Sequence, residues 1–391
     1  QNGKIKLWNA VTGKMEKELG TLTWVSTNLV ANGGDLTATM NSYVGSLVFS
    51  SDGQNLVAAE NRTTLGQNGQ IHVYSIPNGI ETASFYGLNT IEEDLAMAFS
   101  PDSSSLAVGG LINGCVEIYP VGNSKPVLNL SGHSAVVNDV QYSADGALIA
   151  TASDDATLRL WDARSGKTLN VLKGHTARVN RIGFSPDGKW LVSASDDGTL
   201  RRWSLQDGSL INTLSLEGKN WRFKFLAALP DNRSVVYTAL QYPSPLSGYI
   251  PRQILWDVES GKETPIGGGK VTITMLLPDG RTFVGYNDNG KVLGTLETNG
   301  RMILKEATIR SPYGTGALSA PVLTPDGRLL ISGNGFGQHA WQISADSVNF
   351  LGIIAAEEPV PAYGSRYEIS PDGKILAFAG GGVIYLMGVP G

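Results

Sequence analysis

Residues 132–203 hold two copies of one segment, and no other feature narrows the possible folds so far. GHSAVVNDVQYSADGALIATASDDATLRLWDARSGKTLNVLK is followed directly by GHTARVNRIGFSPDGKWLVSASDDGTLRRWSLQDGS. The copies align almost residue for residue, His133 with His175, Asp145 with Asp187, Asp155 with Asp197 and Trp161 with Trp203. A unit this small cannot hide its apolar face alone, so repetition at this period predicts like units leaning on one another.

The rest of the chain keeps the rhythm through one turn. It reads FSSDG (49–53), FSPDS (99–103), YSADG (142–146) and FSPDG (184–188), then ALPDN (228–232), LLPDG (276–280), LTPDG (323–327) and ISPDG (369–373). Pro presets one φ angle, Asp bonds nearby backbone and Gly accepts the left-handed conformation. Each turn is followed by a short β-rich run such as LVAAE, LIATAS or LVSAS, then by a third apolar or aromatic run. Alternation over five or six residues between such turns predicts half-buried strands, and no window carries a helical period. Eight turns predict eight units.

A Gly-His pair, an apolar strand, an SPDG-like turn and then SDDGTLRLWD resemble the WD-repeat (WD40) β-propeller family. The resemblance implies an all-β fold, a single closed β-propeller of four-stranded antiparallel blades. Eight blades are expected, with seven as the alternative, sealed by N- and C-terminal strands. One domain would then cover 1–391, with closing strands in 4–20, a linker or insertion in 21–43 and blades in 44–388. A second insertion, LQYPSPLSGYIPR (240–252), falls between the second and third strands of blade five. Its three prolines predict an ordered loop rather than a central strand. At the ends, KIKLWN (4–9) reads as a third strand and 14–20 as an outer strand. The expectation is that 14–20 completes the last blade, leaving 4–9 to compete with 383–387 for one place.

The resemblance also implies a hydrogen-bonded chain in each well-matched blade. In blade three it would join His133, a hydroxyl from Thr151 or Ser153, Asp155 and the Trp161 indole. In blade four it would join His175, Ser193 or Ser195, Asp197 and Trp203. A histidine, a hydroxyl, a carboxylate and an indole buried together can satisfy one another's donors and acceptors, so a structural role is expected rather than a catalytic or metal-binding one. Blades one and two carry Tyr74 and Tyr119 in place of the Trp, and blade five keeps Trp256-Asp257 without the Gly-His. His72, in the strand IHVY, is expected to face solvent.

Composition removes several function classes. A net charge of −5 argues against non-specific nucleic-acid binding, and no apolar run is long enough to span a bilayer. One cysteine, Cys115, excludes an internal disulfide framework, and it is expected to be a buried thiol. HExxH, GxSxG, Walker and CxxCH motifs do not occur, so no catalytic residue, metal or cofactor is assigned. The expected function is a non-catalytic scaffold presenting a rigid loop face to protein partners. The alternatives are an enzyme using the central channel and a carbohydrate or small-ligand binder. Candidate face residues are Ala135, Asp154, Arg178 and Asp196, with Tyr242, Tyr249 and Arg252 from the insertion. The start at Gln1 rather than Met reads as a processed or trimmed end, and with the single Cys it leans towards an extracytoplasmic location.

Overall fold

The computed structural model describes residues 3–9, 15–22, 42–62, 70–76, 80–86, 95–109, 114–218, 220–242 and 250–265. Beyond 265 it describes the strands between 272 and 388 and the turn residues 370–372. Among these residues the chain forms eight sheets, seven of four strands and one of five. Each four-stranded sheet is an antiparallel meander in which consecutive strands are neighbours. No helix among the described residues is long and apolar enough to cross a membrane.

The third sheet comprises Val137–Tyr142, Leu148–Ser153, Thr157–Asp162 and Thr168–Lys173. The fourth comprises Val179–Phe184, Trp190–Ser195, Thr199–Ser204 and Leu210–Ser215. Their cores lie between sheets, not within them. One cluster joins Leu158, Leu160 and Leu172 of the third sheet to Ile182, Leu191 and Trp203 of the fourth. Another joins Trp190, Val192 and Leu200 of the fourth to Phe223, Val235 and Trp256 of the fifth. Neighbours cover both faces of a second strand, so every residue of Trp190–Ser195 is buried, while the outermost strand Leu210–Ser215 is largely exposed. The expected half-buried alternation therefore fails for the middle strands. His72 is corrected for the same reason: its strand, Gln70–Ser75, is covered on both faces, His72 is buried, and its Nδ1 lies 3.2 Å from Glu81 Oε1.

The first strand of each sheet is an edge, and its free backbone groups need partners. The third sheet supplies them to the fourth. Asn138 Nδ2 donates to Val179 O at 3.0 Å and Gln141 Nε2 to Ile182 O at 2.8 Å. Asp139 Oδ2 accepts from Ile182 N at 3.0 Å. Burial pushes the Asp139 carboxyl up to about 6, against the pull of Arg181 and the Ile182 N–H.

The repeated turn is held by its serine as much as by its aspartate. Ser143 Oγ donates to Asp145 Oδ1 at 2.6 Å and accepts from Leu148 N at 2.9 Å. Gly146 closes the turn at φ +71°. In the second sheet Ser103 holds that left-handed place at φ +61°, and its hydroxyl accepts from Asp52 N of the first sheet at 3.0 Å. Asn232 does the same for Asp187 N at 2.8 Å. A side chain thus bridges two sheets where glycine is missing. Ser103→Ala should cost about 1 kcal/mol, because it keeps the strained φ and loses the bridge. Ser103→Gly should be close to neutral, since relief of strain offsets the lost bond. Thermal unfolding of the two variants checks this, and equal losses would contradict it.

The ends differ from expectation. The eighth sheet contains Arg366–Ile369, Ile375–Gly380 and Val383–Gly388, then Gly3–Asn9 and finally Met15–Leu22. Gly3–Asn9 does not compete with Val383–Gly388. It pairs beside it in parallel, Leu7 opposite Leu386, and carries Met15–Leu22 as a fifth strand. The two strands pair antiparallel with each other, so both enter the sheet together.

The blade-five insertion is also shorter than expected. Ser234–Gln241 and Ile250–Asp257 pair as far as Gln241 with Ile250, so Leu240, Gln241, Ile250, Pro251 and Arg252 are strand residues. Among the described residues the next strand, Glu263–Pro265, pairs only with Ile254–Trp256, so no ladder bond to it is asked of Pro251.

Candidate functional site

The two matched sheets carry the same buried network. Trp161 Nε1 donates to Thr151 Oγ1 at 3.0 Å, and Thr151 lies 2.7 Å from His133 Nε2. His133 Nδ1 then lies 2.8 Å from Asp155 Oδ2. One directional scheme satisfies every member: the indole donates to the hydroxyl, the hydroxyl to Nε2, and Nδ1–H to the carboxylate. In the fourth sheet Trp203 Nε1 donates to Ser193 Oγ at 2.9 Å, with His175 Nε2 at 2.8 Å from that oxygen and Nδ1 at 2.8 Å from Asp197 Oδ2. Burial pushes both imidazoles below their usual range, against the opposing pull of Asp155 and Asp197, so the rings are neutral at pH 7 as the scheme requires.

The two hydroxyl candidates in each sheet divide the work. Thr151 and Ser193 link His to Trp. Ser153 donates to Ala135 O at 3.2 Å and accepts from Asp155 N at 3.1 Å, tying the two loops that flank the histidine. Ser195 does the same with Ala177 O at 3.0 Å and Asp197 N at 3.1 Å. Gly132 of the Gly-His pair has its own reason. A Cβ there would lie 2.5 Å from Arg159 Nη1, and Arg159 Nη2 donates to Gly132 O at 2.6 Å. In the fifth sheet Tyr237 takes the place of Thr151 and Ser193. Its hydroxyl and Trp256 Nε1 are buried without a hydrogen-bond partner among the described residues.

These networks fix the loops that carry the candidate face. Asp154 Oδ1 accepts from Asn138 Nδ2 at 2.8 Å, and the same amide reaches Val179 O at 3.0 Å, beside Arg178. Arg178 Nε pairs with Asp196 Oδ2 at 2.8 Å, and Asn180 Nδ2 donates to Asp196 Oδ1 at 2.5 Å. Ala135, Asp154, Arg178 and Asp196 are thus brought to one continuous end of two sheets. Asn138 and Asn180, absent from the sequence reading, organise it. Their signal was present: both follow the first valine of the repeat's opening strand, Val137 and Val179.

The insertion residues divide. Tyr242 N donates to Asn220 O at 3.0 Å, and Asn220 Nδ2 returns a bond to Tyr242 O at 3.2 Å. Arg252 lies in a strand rather than a loop and pairs with Glu263 Oε2 at 3.1 Å. Tyr249 lies outside the described residues. Cys115 is buried.

Successive four-stranded antiparallel sheets, two of them locked by matching His-hydroxyl-Trp-Asp networks, define a β-propeller repeat protein. The family model described as WD domain, G-beta repeat, matches residues 124–162 and 166–204. Apoptotic protease-activating factor 1 of Homo sapiens is 30% identical over 164 residues, 42% of this chain and 12% of that protein. Eukaryotic translation initiation factor 3 subunit I of Drosophila willistoni is 28% identical over 162 residues, 36% of this chain and 50% of that protein. WD repeat and SOCS box-containing protein 1 of Xenopus tropicalis is 45% identical over 67 residues, 17% of this chain and 16% of that protein. The chain therefore spans half or less of these relatives' own length. Residues 124–162 and 166–204 are thus repeats of the WD40 type.

Proposed function

We propose that residues 1–391 form one eight-bladed ring, a non-catalytic scaffold that holds protein partners against the loop ends of blades three and four. Contacts between the first strands of successive sheets support the ring. Ser42–Phe49 of the first sheet meets Met97–Phe99 of the second on one side and Arg366–Ile369 of the eighth on the other. A Cβ on Gly53 would lie 3.6 Å from Pro371 Cδ, so the turns of the first and eighth sheets adjoin.

The observation that carries the scaffold reading is the cluster Asp154, Asn138, Arg178, Asp196 and Asn180. It spans two sheets on a rigid base, and Arg178 keeps 38% of its side chain exposed. Arginine on a preorganised support is a common anchor of protein interfaces. The relatives carry the same repeat in an initiation-factor subunit and an apoptotic activating factor, and binding of proteins is the role we carry over.

Affinity capture from the native source with mass spectrometry tests this. Arg178→Ala should reduce recovery of the captured proteins about tenfold while leaving the melting temperature unchanged. Trp203→Phe should lower the melting temperature and spare capture. Equal recovery by the parent and Arg178→Ala would overturn the assignment of this face.

A further inference from the structure

Among the differences between the two copies, one pair opens onto a cleft. The third strand reads TLRLWD in the third sheet and TLRRWS in the fourth, so Arg202 stands where Leu160 fills the core. The second strand begins with Leu148 in one and Trp190 in the other. The two replacements belong together: the Arg202 guanidinium carbon lies 4.9 Å from the centre of the Trp190 ring, over a side chain that is almost fully buried. Stacking of this kind orients a guanidinium while leaving its hydrogen-bonding edge unused.

Arg202 and Trp190 line a cleft of about 440 Å³ between the fourth and fifth sheets. Ile211, exposed on the outermost strand of the fourth sheet, adds an apolar wall. The other charges around it are mostly committed. Lys189 pairs with Asp187 at 3.3 Å, Arg233 with Asp257 at 2.7 Å, and Asp231 accepts from the backbone N–H groups of Arg233 and Ser234. Arg202 makes no hydrogen bond or ion pair among the described residues, and its Nε is buried without a partner. Leaving a buried guanidinium N–H unpaired is costly, and the partner that best matches its forked donors is a carboxylate.

We infer that this cleft binds an acidic peptide segment of a protein partner, with an Asp or Glu carboxylate on Arg202 and an adjacent apolar side chain against Trp190 and Ile211. The charge balance selects the ligand class. Asp187, Asp231 and Glu259 offset Lys189, Arg202 and Arg233 along the lining, which suits a single negative charge better than a phosphate dianion. The cleft lies by the turns at Asp187 and Asn232, at the opposite end of the strands from Asp196 and Arg178. It is a second site, and it stands whether or not the loop face holds a partner.

The probes are acetyl-Gly-Leu-Glu-Leu-Gly-amide, its Gln counterpart and inorganic phosphate, titrated against the full chain. The readout is the Arg202 Nε–Hε resonance, assigned by its loss in Arg202→Leu. The Glu peptide should shift that resonance and bind about tenfold tighter than the Gln peptide. Arg202→Leu, which restores the residue of the neighbouring repeat, should bind both peptides equally weakly. Arg202→Lys, which keeps the charge and loses the fork, should lose most of the preference, and Arg178→Ala should behave as the parent. Equal affinity for the two peptides, a Glu preference that survives in Arg202→Leu, or displacement of the Glu peptide by an equal concentration of phosphate would each overturn the inference.

Discussion

Replacing Ser193 with alanine should destabilise the protein by about 2–4 kcal/mol, although it removes a single oxygen. That oxygen accepts a hydrogen bond from Trp203 Nε1 at 2.9 Å and faces His175 Nε2 at 2.8 Å in a fully buried site. Removing it strands a donor and an acceptor together, and each such group costs roughly 1–3 kcal/mol. For a chain of 391 residues this corresponds to a fall of about 2–5 °C in melting temperature, read by calorimetry. Trp203→Phe should cost less, because it deletes the donor along with the bond and leaves Ser193 still facing His175. Thr213→Ala, on the exposed outermost strand, should stay within about 0.5 kcal/mol of the parent. A Ser193→Ala protein as stable as Thr213→Ala would mean that the network contributes nothing to the fold.

The second large effect is expected at the junction of the chain ends. Leu7→Pro places a residue with no amide hydrogen in a strand flanked on both sides, by Val383–Gly388 and by Met15–Leu22. Proline inside such a strand removes a ladder bond, which is why it is confined to sheet edges and bulges. Loss of the hairpin would also expose the edge of Val383–Gly388, so its amides should exchange with solvent about a hundredfold faster, read by hydrogen-exchange mass spectrometry. The amides of Trp190–Ser195, in the middle of the fourth sheet, should be unaffected. Unchanged exchange over residues 383–388 would show that the junction of the ends carries no load.

Both predictions concern elements whose residues were legible in the sequence and whose partners were not. The Gly-His, the SPDG-like turn and the Trp at the third strand's end declare a four-stranded unit, because each residue answers a local demand: close approach, left-handed φ, a buried indole. The strands follow from the same local demands, although 4–9, which reads as a third strand, takes the fourth place in its sheet beside Val383–Gly388. Which of two hydroxyls meets the histidine was not legible, because Thr151 and Ser153 lie on the same face of one strand, two residues apart. Their separation of roles depends on where His133 and Ala135 arrive from another segment.

For the candidate sites the division is sharper. The repeat pattern by itself determined a chain of small sheets, their turns and their buried His-Asp pairs, since all of these are set within some forty residues of sequence. The tertiary structure alone decided that His72 is buried, that Arg252 is engaged by Glu263, that both N-terminal strands join the last sheet, and that Arg202 opens onto a cleft. Each of those depends on what the next sheet presents across a gap. Side-chain burial and pairing are properties of two surfaces in contact, and one repeat's sequence encodes only its own.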